Sequence, residues 1–325
     1  MQKTRVAVLR GGPSVEYDIS MQTGASVLAA IDRTTYDPID VVITQSGEWL
    51  VDGYVRFPEQ ILQGVDVVFV ALHGTYGEDG TVQRLLDRLA VPYTGSGAYA
   101  SALAMHKALT KDHVADLAFA LAPHMLVSRS SLPALFSVTD RIADSFGPSY
   151  VIKPVALGSS VGAVMVESPA HLPELLKAAL ETYDEVIVEQ RIIGREATCG
   201  VIERYRGQQL YALPPVEIVP PHTSDFFDYE VKYNDATEEI CPARFDTEVK
   251  QHIEQAAQHI HQTLGLSQYS RSDFIVADDA LYFLEVNTLP GLTPASLVPR
   301  AIDAVGGTYD GLIEHLLTDA LYTAH

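Results

Sequence analysis

A chain of 325 residues with 47% hydrophobic residues is too long for one core and has apolar surface for two or three. Its formal net charge of −20 repels phosphate backbones and excludes nucleic acid as an expected partner, although a local cluster of Lys and Arg can still hold a nucleotide. The two cysteines, Cys199 and Cys241, have no second cysteine or histidine at zinc spacing, so they read as free thiols in a reduced, cytoplasmic chain.

The N-terminus, MQKTRVAVLRGG, is basic, but its apolar run covers only Val6–Leu9. That is too short for a signal peptide and suits a first strand. No apolar run approaches the roughly 18 residues of a membrane span, so no membrane partner is expected. In the N-terminal third the pattern predicts a strand at Arg5–Leu9, a helix near Ser20–Ile31 and a strand near Ile39–Ile43. A strand at Asp66–Ala71, a helix at Thr81–Leu89 and a short strand at Val91–Tyr93 follow. This βαβ rhythm implies a mostly parallel sheet covered on both faces.

After Thr94-Gly95-Ser96-Gly97 a long helical stretch runs to about Leu117, and Pro- and Ser-rich turns surround Pro123 and Ser128–Pro133. A smaller α+β unit then reaches about Asp184, with strands at Tyr150–Lys153 and Ala163–Glu167 joined by the loop PVALGSSVG. The strand Glu185–Gln190 opens the last third, followed by strands near Ala197–Ile202, Leu210–Ala212 and Val216–Val219. A polar, aromatic loop spans Pro220–Asp235, a helix covers about Asp246–Leu264, a hairpin covers Asp273–Asn287, and two helices finish the chain. There are no repeats or low-complexity tracts.

Two glycine motifs mislead. Gly158–Gly162 reads GSSVG and imitates a nucleophile elbow centred on Ser160, but the elbow needs a following helix and AVMVE is strand-like. Gly95–Ala100 reads GSGAYA, yet the next 20 residues are helical where a dinucleotide fold needs a strand closed by an acid. A Walker A loop is excluded because Gly-Lys never occurs.

Four constellations carry chemistry. Glu285 and Asn287 are two apart on a strand and face the same way. A tight turn near Asp278–Asp279 would fold Asp273 back beside Glu285, giving three hard oxygen ligands suited to Mg²⁺ on nucleotide phosphates. Lys153 ends an apolar strand ahead of Gly158, Ser159, Ser160 and Gly162, small residues that let backbone N–H groups approach phosphate oxygens. In LHGTYGEDG, residues Leu72–Gly80, His73 stands at the carboxyl end of a strand, where open α/β sheets bind ligands, and could meet a carboxylate. In RGGPSVE, residues Arg10–Glu16, Glu16 could hold a substrate ammonium group.

These pieces occur together, in this order, in one family. GGPSVEYDIS, ALHGTYGEDGTVQ, VPYTGSG with MHK, VIKPVALGSSVG, FFDYEVKY and EVNTLPGLTPASLVP resemble the D-alanine–D-alanine ligases over nearly the whole chain. The resemblance implies an ATP-grasp fold, α/β and α+β, behind an N-terminal parallel-sheet, Rossmann-like (pre-ATP-grasp) domain. It implies a substrate domain over 1–96, a central ATP-grasp subdomain over 97–186, and a C-terminal subdomain over 187–325 with the metal and catalytic site. Two D-alanine molecules would be joined through an acyl phosphate for peptidoglycan precursor synthesis. ATP and two Mg²⁺ ions (with Mn²⁺ as a substitute) are implied, in a homodimer. Relatives that accept D-lactate or D-serine are the alternative.

By the same resemblance, Lys107, Lys153 and Lys232 match lysines at the ATP phosphates. Ser160 belongs to the phosphate loop, and Glu189 and Glu196 match acids near adenine and ribose. Asp273, Glu285 and Asn287 match the metal ligands. Glu16 matches the acid that pairs with the first substrate's amine, Ser159 and Tyr233 its hydrogen-bonding partners, and His73 a residue near that substrate. Arg271 and the Gly291 N–H match the oxyanion stabilisers, and Ser296 and Leu297 the site for the second carboxylate. Tyr17, Leu157, Ser272 and Leu289 stand where Arg, Glu, another residue and Ser are frequent in the family, and none of them removes a catalytic group.

Overall fold

The computed structural model describes residues 3–158, 162–220 and 237–323. Ser159, Ser160, Lys232 and Tyr233, and the loop expected over Pro220–Asp235 apart from Pro220, lie outside the described residues.

The first sheet is built from β1 (Thr4–Gly11), β2 (Tyr36–Ile43), β3 (Trp49–Val51), β4 (Tyr54–Val55) and β5 (Val67–Val70), in the order β4-β3-β2-β1-β5. β1 runs parallel to both β2 and β5, and β3 and β4 form an antiparallel edge. The runs Val6–Leu9 and Val67–Val70 are entirely buried, as expected for parallel strands covered on both faces. The short strand expected at Val91–Tyr93 is reduced to one bridge, Val68 to Tyr93.

The long helical stretch after Gly97 is two helices, Ala98–Met105 and Lys107–Val114, broken at His106. His106 is extended, and its Nδ1 accepts the Leu109 N–H at 3.2 Å, capping the second helix. The break makes Lys107 a first helical residue whose N–H donates to Val155 O at 3.0 Å. It thereby fixes which way Lys107 and Lys111 project.

From there β6 (Ala120–Leu121) runs to the third sheet. β7 (His124–Ser128), β8 (Tyr150–Pro154), β9 (Val164–Val166) and β10 (Glu185–Gln190) form an antiparallel second sheet, β7-β10-β8-β9. The strand Glu185–Gln190, expected to open the last third, is therefore an inner strand of the second sheet, and a boundary at 186/187 would cut it. The unit has its own core, including Ile142, Tyr150, Ile152, Leu176, Val186 and Val188.

The third sheet comprises β11 (Arg195–Glu203), β12 (Leu210–Ala212), β13 (Val216–Val219), β14 (Glu238–Ile240), β15 (Tyr269–Val276) and β16 (Leu281–Asn287), ordered β14-β13-β11-β15-β16-β6 with β12 beside β11. One face packs on the helix Thr247–Thr263, whose buried Ile253, Ala256, Ala257, Ile260 and His261 follow helical spacing. The helices Leu297–Ala304 and Tyr309–Tyr322 share a core with the first sheet.

The β15–β16 hairpin turns at Asp278–Asp279, as the sequence predicts, with Ala277 N–H donating to Ala280 O at 3.0 Å. It contains one irregularity. Phe274 pairs with Phe283, but Asp273 pairs with Glu285 and Arg271 with Asn287, so Leu284 is an extra, bulged residue. Regular alternation from the core residues Leu281 and Phe283 would send Glu285 into the same core. Instead Val286 takes that position, and Glu285 and Asn287 turn to the face of Asp273.

Deleting Leu284 should close the ladder with Glu285 directly after Phe283 and still opposite Asp273, so it should keep Glu285 out of the core and cost no more than about 2 kcal/mol. Leu284→Ala keeps the bulge and should cost no more than about 2 kcal/mol at this half-buried site. Urea denaturation of both variants checks this, and a loss of roughly 3–5 kcal/mol on deletion, the scale of an uncompensated buried charge, would contradict this reading of the bulge.

Candidate active site

Strands β8 and β10 set the first charged pair. Lys153 pairs in register with Ile187 and Val151 with Glu189, so Lys153 and Glu189 are diagonal neighbours on one face. Lys153 Nζ lies 2.7 Å from Glu189 Oε2. Glu189 Oε1 is 2.8 Å from Nζ of the fully buried Lys111. One turn earlier on the same helix, Lys107 Nζ is 3.1 Å from Glu285 and donates to Leu157 O at 2.6 Å. Ammonium and carboxylate groups thus alternate.

Burial works to raise the pKa of Glu189, but Lys111 and then Lys153 outweigh it, and the net shift is strongly downward. Burial works to lower that of Lys153, but Glu189 and then Glu285 reverse it. At Lys111 burial prevails over Glu189 and the shift is downward.

Lys107, Lys153, Glu189, Glu196, Asp273 and Glu285 all line one cavity of about 380 Å³ between the second and third sheets. Apolar walls come from Val151, Met165, Ile192, Ile218 and Ile275, among others. A mostly apolar cleft with a few convergent charges is the usual form of a nucleotide-sized site. At its mouth Arg195 and Arg244 share the buried Glu217 at 2.7 and 3.1 Å.

Along β15, Arg271 Nε and Nη2 donate to the two oxygens of Asp273 at 2.8 and 2.7 Å. Thr198 Oγ1 donates to Oδ1 at 2.5 Å and Asn287 Nδ2 to Oδ2 at 3.1 Å. Among the described residues no three His, Cys, Asp or Glu groups form a metal cluster. The donor set is two carboxylates plus the Asn287 amide, and it becomes three oxygens if that amide presents its other atom. Such hard donors fit Mg²⁺.

At the carboxyl end of the first sheet, Glu16 is buried with Oε2 facing Gly74 and Gly158. A Cβ at those glycines would stand 2.5 and 2.9 Å from it. The loop after β1 therefore meets the loop after β8 around one carboxylate. His73 is also buried. Its Nδ1 bonds to Leu289 O at 2.9 Å and its Nε2 to Thr23 Oγ1 at 2.8 Å. A carbonyl can only accept, so Nδ1 carries the proton and Nε2 accepts from Thr23. Both ring nitrogens are thus engaged by Leu289 and Thr23.

Beside it Glu78 accepts from Gly74 N–H and Leu289 N–H, both at 3.0 Å, and from Thr288 Oγ1 at 3.4 Å. Burial raises its pKa. The segment Thr288–Leu289–Pro290–Gly291 is thus tied to the first sheet. Gly291 leads into Ser296, whose Oγ accepts Thr293 N–H at 3.0 Å. Ser296 is the N-cap of helix Leu297–Ala304, so Leu297 opens the positive end of that helix, which suits a carboxylate.

Lys111, Glu78 and Thr198 were not singled out in the sequence. Lys111 follows Lys107 at helical spacing and Glu78 sits inside HGTYGEDG, so both carried a signal. Thr198 is an ordinary strand residue and carried none.

Family models for the D-Ala D-Ala ligase N-terminus match residues 5–61 and 53–96, and the model for the C-terminus matches 114–318. A Geobacter sulfurreducens protein named D-alanine–D-alanine ligase is 39% identical over 323 residues, covering 98% of this chain and 95% of its own. The solved VanG D-Ala:D-Ser ligase of Enterococcus faecalis is 30% identical with a TM-score of 0.84, covering 98% of this chain and 100% of its own. A Bacillus anthracis D-alanine–D-alanine ligase solved with ATP is 28% identical with a TM-score of 0.78, covering 99% and 98%.

Burial, with a smaller contribution from Arg271, lowers the pKa of His73 from 6.5 to about 4. The unfolded chain therefore takes up this proton first. The stabilising contribution is full above about pH 6.5 and is lost as pH falls toward 4, by roughly 3 kcal/mol. Denaturation of wild type and His73→Gln between about pH 7 and 4.5 should show a shallower acid loss in the variant, and equal slopes would contradict a neutral, buried His73.

Proposed function

Since this chain is a member of the D-alanine–D-alanine ligase family, we propose that it joins two D-alanine molecules, converting ATP to ADP and phosphate, to supply D-alanyl-D-alanine for peptidoglycan synthesis. The observation that carries this reading is the convergence on one cavity of Lys107 and Lys153 with the registered pair Asp273 and Glu285. The reading includes a cytoplasmic homodimer and three units, with the second boundary moved to the end of β10 near Gln190. Among the described residues no helix is long and apolar enough to cross a membrane.

A carboxylate is a poor acyl donor and must first be phosphorylated. In this reading Glu196 and Glu189 flank the nucleoside, and Lys107, Lys153, Lys232 and the loop at Ser160 hold the phosphates. Asp273, Glu285 and Asn287 would hold Mg²⁺ ions, or Mn²⁺ in their place, which neutralise phosphate charge. Glu16, assisted by Ser159 and Tyr233, pairs with the first D-alanine's ammonium and aims its carboxylate at the γ-phosphate.

The second D-alanine, its carboxylate at Ser296 and Leu297, attacks the acyl phosphate through its amine. Arg271 and the Gly291 N–H would stabilise the oxyanion. Arg271 Nε and Nη2 also donate to Asp273, which would fix the orientation of the guanidinium beside the metal donors. The loop at Gly158 and the Pro220–Asp235 segment would close to keep water from the acyl phosphate.

Phosphate release from ATP with D-alanine, D-serine or D-lactate as second substrate is the direct test. D-alanine alone should give dipeptide and stoichiometric phosphate. Preference for D-serine would move the chain toward the VanG-type activity, and no release with any of the three would end the ligase reading.

Glu285→Gln should lower kcat by more than about 10², since loss of outer-shell groups alone costs tenfold or more. Near-normal turnover at moderate Mg²⁺ would remove Glu285 from the metal set. Arg271→Met should bind ATP and lose about 10²–10³ in ligation rate. Ligation within about threefold of wild type would show that Arg271 serves only as the counter-ion of Asp273.

A further inference from the structure

Of the two lysines one turn apart on the helix Lys107–Val114, only Lys107 lines the nucleotide cavity. Lys111 is 0% exposed and lies behind the cavity wall. Its Nζ touches Glu189 Oε1 at 2.8 Å, donates to Phe283 O at 3.4 Å and stands 6.0 Å from the centre of the Phe283 ring. An aliphatic side chain would fill the same space at less desolvation cost, so packing alone does not account for a lysine here.

Its position relative to Glu189 does. That carboxylate is 2% exposed and divides its oxygens, Oε1 to Lys111 and Oε2 to Lys153 at 2.7 Å. With Lys153 as its only partner, Glu189 could grip that ammonium with both oxygens and form a closed, neutral pair. With Lys111 present, one oxygen is occupied from behind, and the Lys153–Glu189–Lys111 triad carries a net positive charge whose exposed end faces the cavity.

We propose that Lys111 is a positioning residue for nucleotide binding: it holds half of the Glu189 carboxylate so that Lys153 keeps N–H donors and uncompensated charge for the ATP phosphates. This rests on the reading that Lys153 meets ATP. A merely structural Lys111 would lower stability and leave the affinity of the folded protein unchanged.

The test measures ATP affinity by calorimetry, the KM for D-alanine, and thermal stability on the full chain. Lys111→Met should weaken ATP binding about tenfold or more, the scale of one hydrogen bond to a charged group, and leave the D-alanine KM within about twofold. In a Glu189→Gln background, where the Glu189 carboxylate no longer competes for Lys153, adding Lys111→Met should change ATP affinity by less than about twofold.

ATP affinity within twofold of wild type in folded Lys111→Met, or an equal loss in both backgrounds, overturns the proposal. Should Lys111→Met fail to fold, Lys111→Gln decides, because it can still hydrogen-bond Glu189 but carries no charge. A tenfold loss of ATP affinity supports the proposal and an unchanged affinity overturns it. Lys153→Met separates the two readings: if it leaves ATP binding intact, the ATP role of Lys153 fails, and if it weakens binding while Lys111→Met does not, only the role of Lys111 fails.

Discussion

On either side of Leu284 the strands β15 and β16 follow different registers, with Phe274 opposite Phe283 but Asp273 opposite Glu285. One extra residue in one strand moves every later side chain to the other face of the sheet. Before it, Leu281 and Phe283 enter the core under the helix Thr247–Thr263. After it Val286 does, and Glu285 and Asn287 join Asp273 on the cavity side. The donors proposed for the metal, the Lys107–Glu285 pair and the orientation of Arg271 all depend on that change of face. A regular hairpin would bury a carboxylate in the core and leave Asp273 without its neighbours.

The cavity tolerates so many low-solvent charges because opposite signs alternate through it. Glu285 pairs with Lys107, and Glu189 with both Lys111 and Lys153, while Asp273 faces the guanidinium fork of Arg271. Removing one member leaves a neighbour buried and unpaired, which costs more than the pair itself contributes. A second network orders the opposite wall. His73 and Glu78 grip the backbone O and N of Leu289, and the Leu289 side chain packs against Gly95, where a Cβ would come within 2.7 Å. The loop that carries Gly291 is thereby referenced to the first sheet, which also carries Glu16. The two halves of the proposed reaction, capture of an ammonium and stabilisation of an oxyanion, share one rigid frame.

Much of this was legible in the sequence. The E-x-N spacing on a strand and the Asp-Asp turn brought Asp273 near Glu285, but a regular two-residue hairpin would pair Asp273 with Leu284, and it is the bulge that puts Glu285 opposite it. The alternation of strands and helices from Arg5 to Tyr93 identified a mostly parallel sheet covered on both faces. What escaped was set by pairing between distant segments. The helix break at His106 depends on a cap and on Val155 O rather than on any Gly or Pro. The place of Glu185–Gln190 depends on its partners β7 and β8, not on its own residues. Leu284 looks like any apolar strand residue until the register of its neighbours is known. His73 drew notice as a ligand-type residue, yet its surroundings engage both ring nitrogens.

A chain of net charge −20 that is proposed to hold a triphosphate must separate its global field from its local one. Surface charges are screened over about 8 Å at physiological ionic strength, whereas buried charges are screened far less. Lys107 and Lys153 are largely enclosed, with Lys111 fully buried behind them, so at close range the cavity presents fixed ammonium groups that surface carboxylates scarcely offset. Long phosphate backbones, by contrast, would have to approach the acidic exterior and could not bring enough phosphates into one enclosed cleft. The same charge balance that excludes polyanions thus remains compatible with a small anionic ligand, provided the lysines are held inward, as the breaks at His106 and Leu284 hold them.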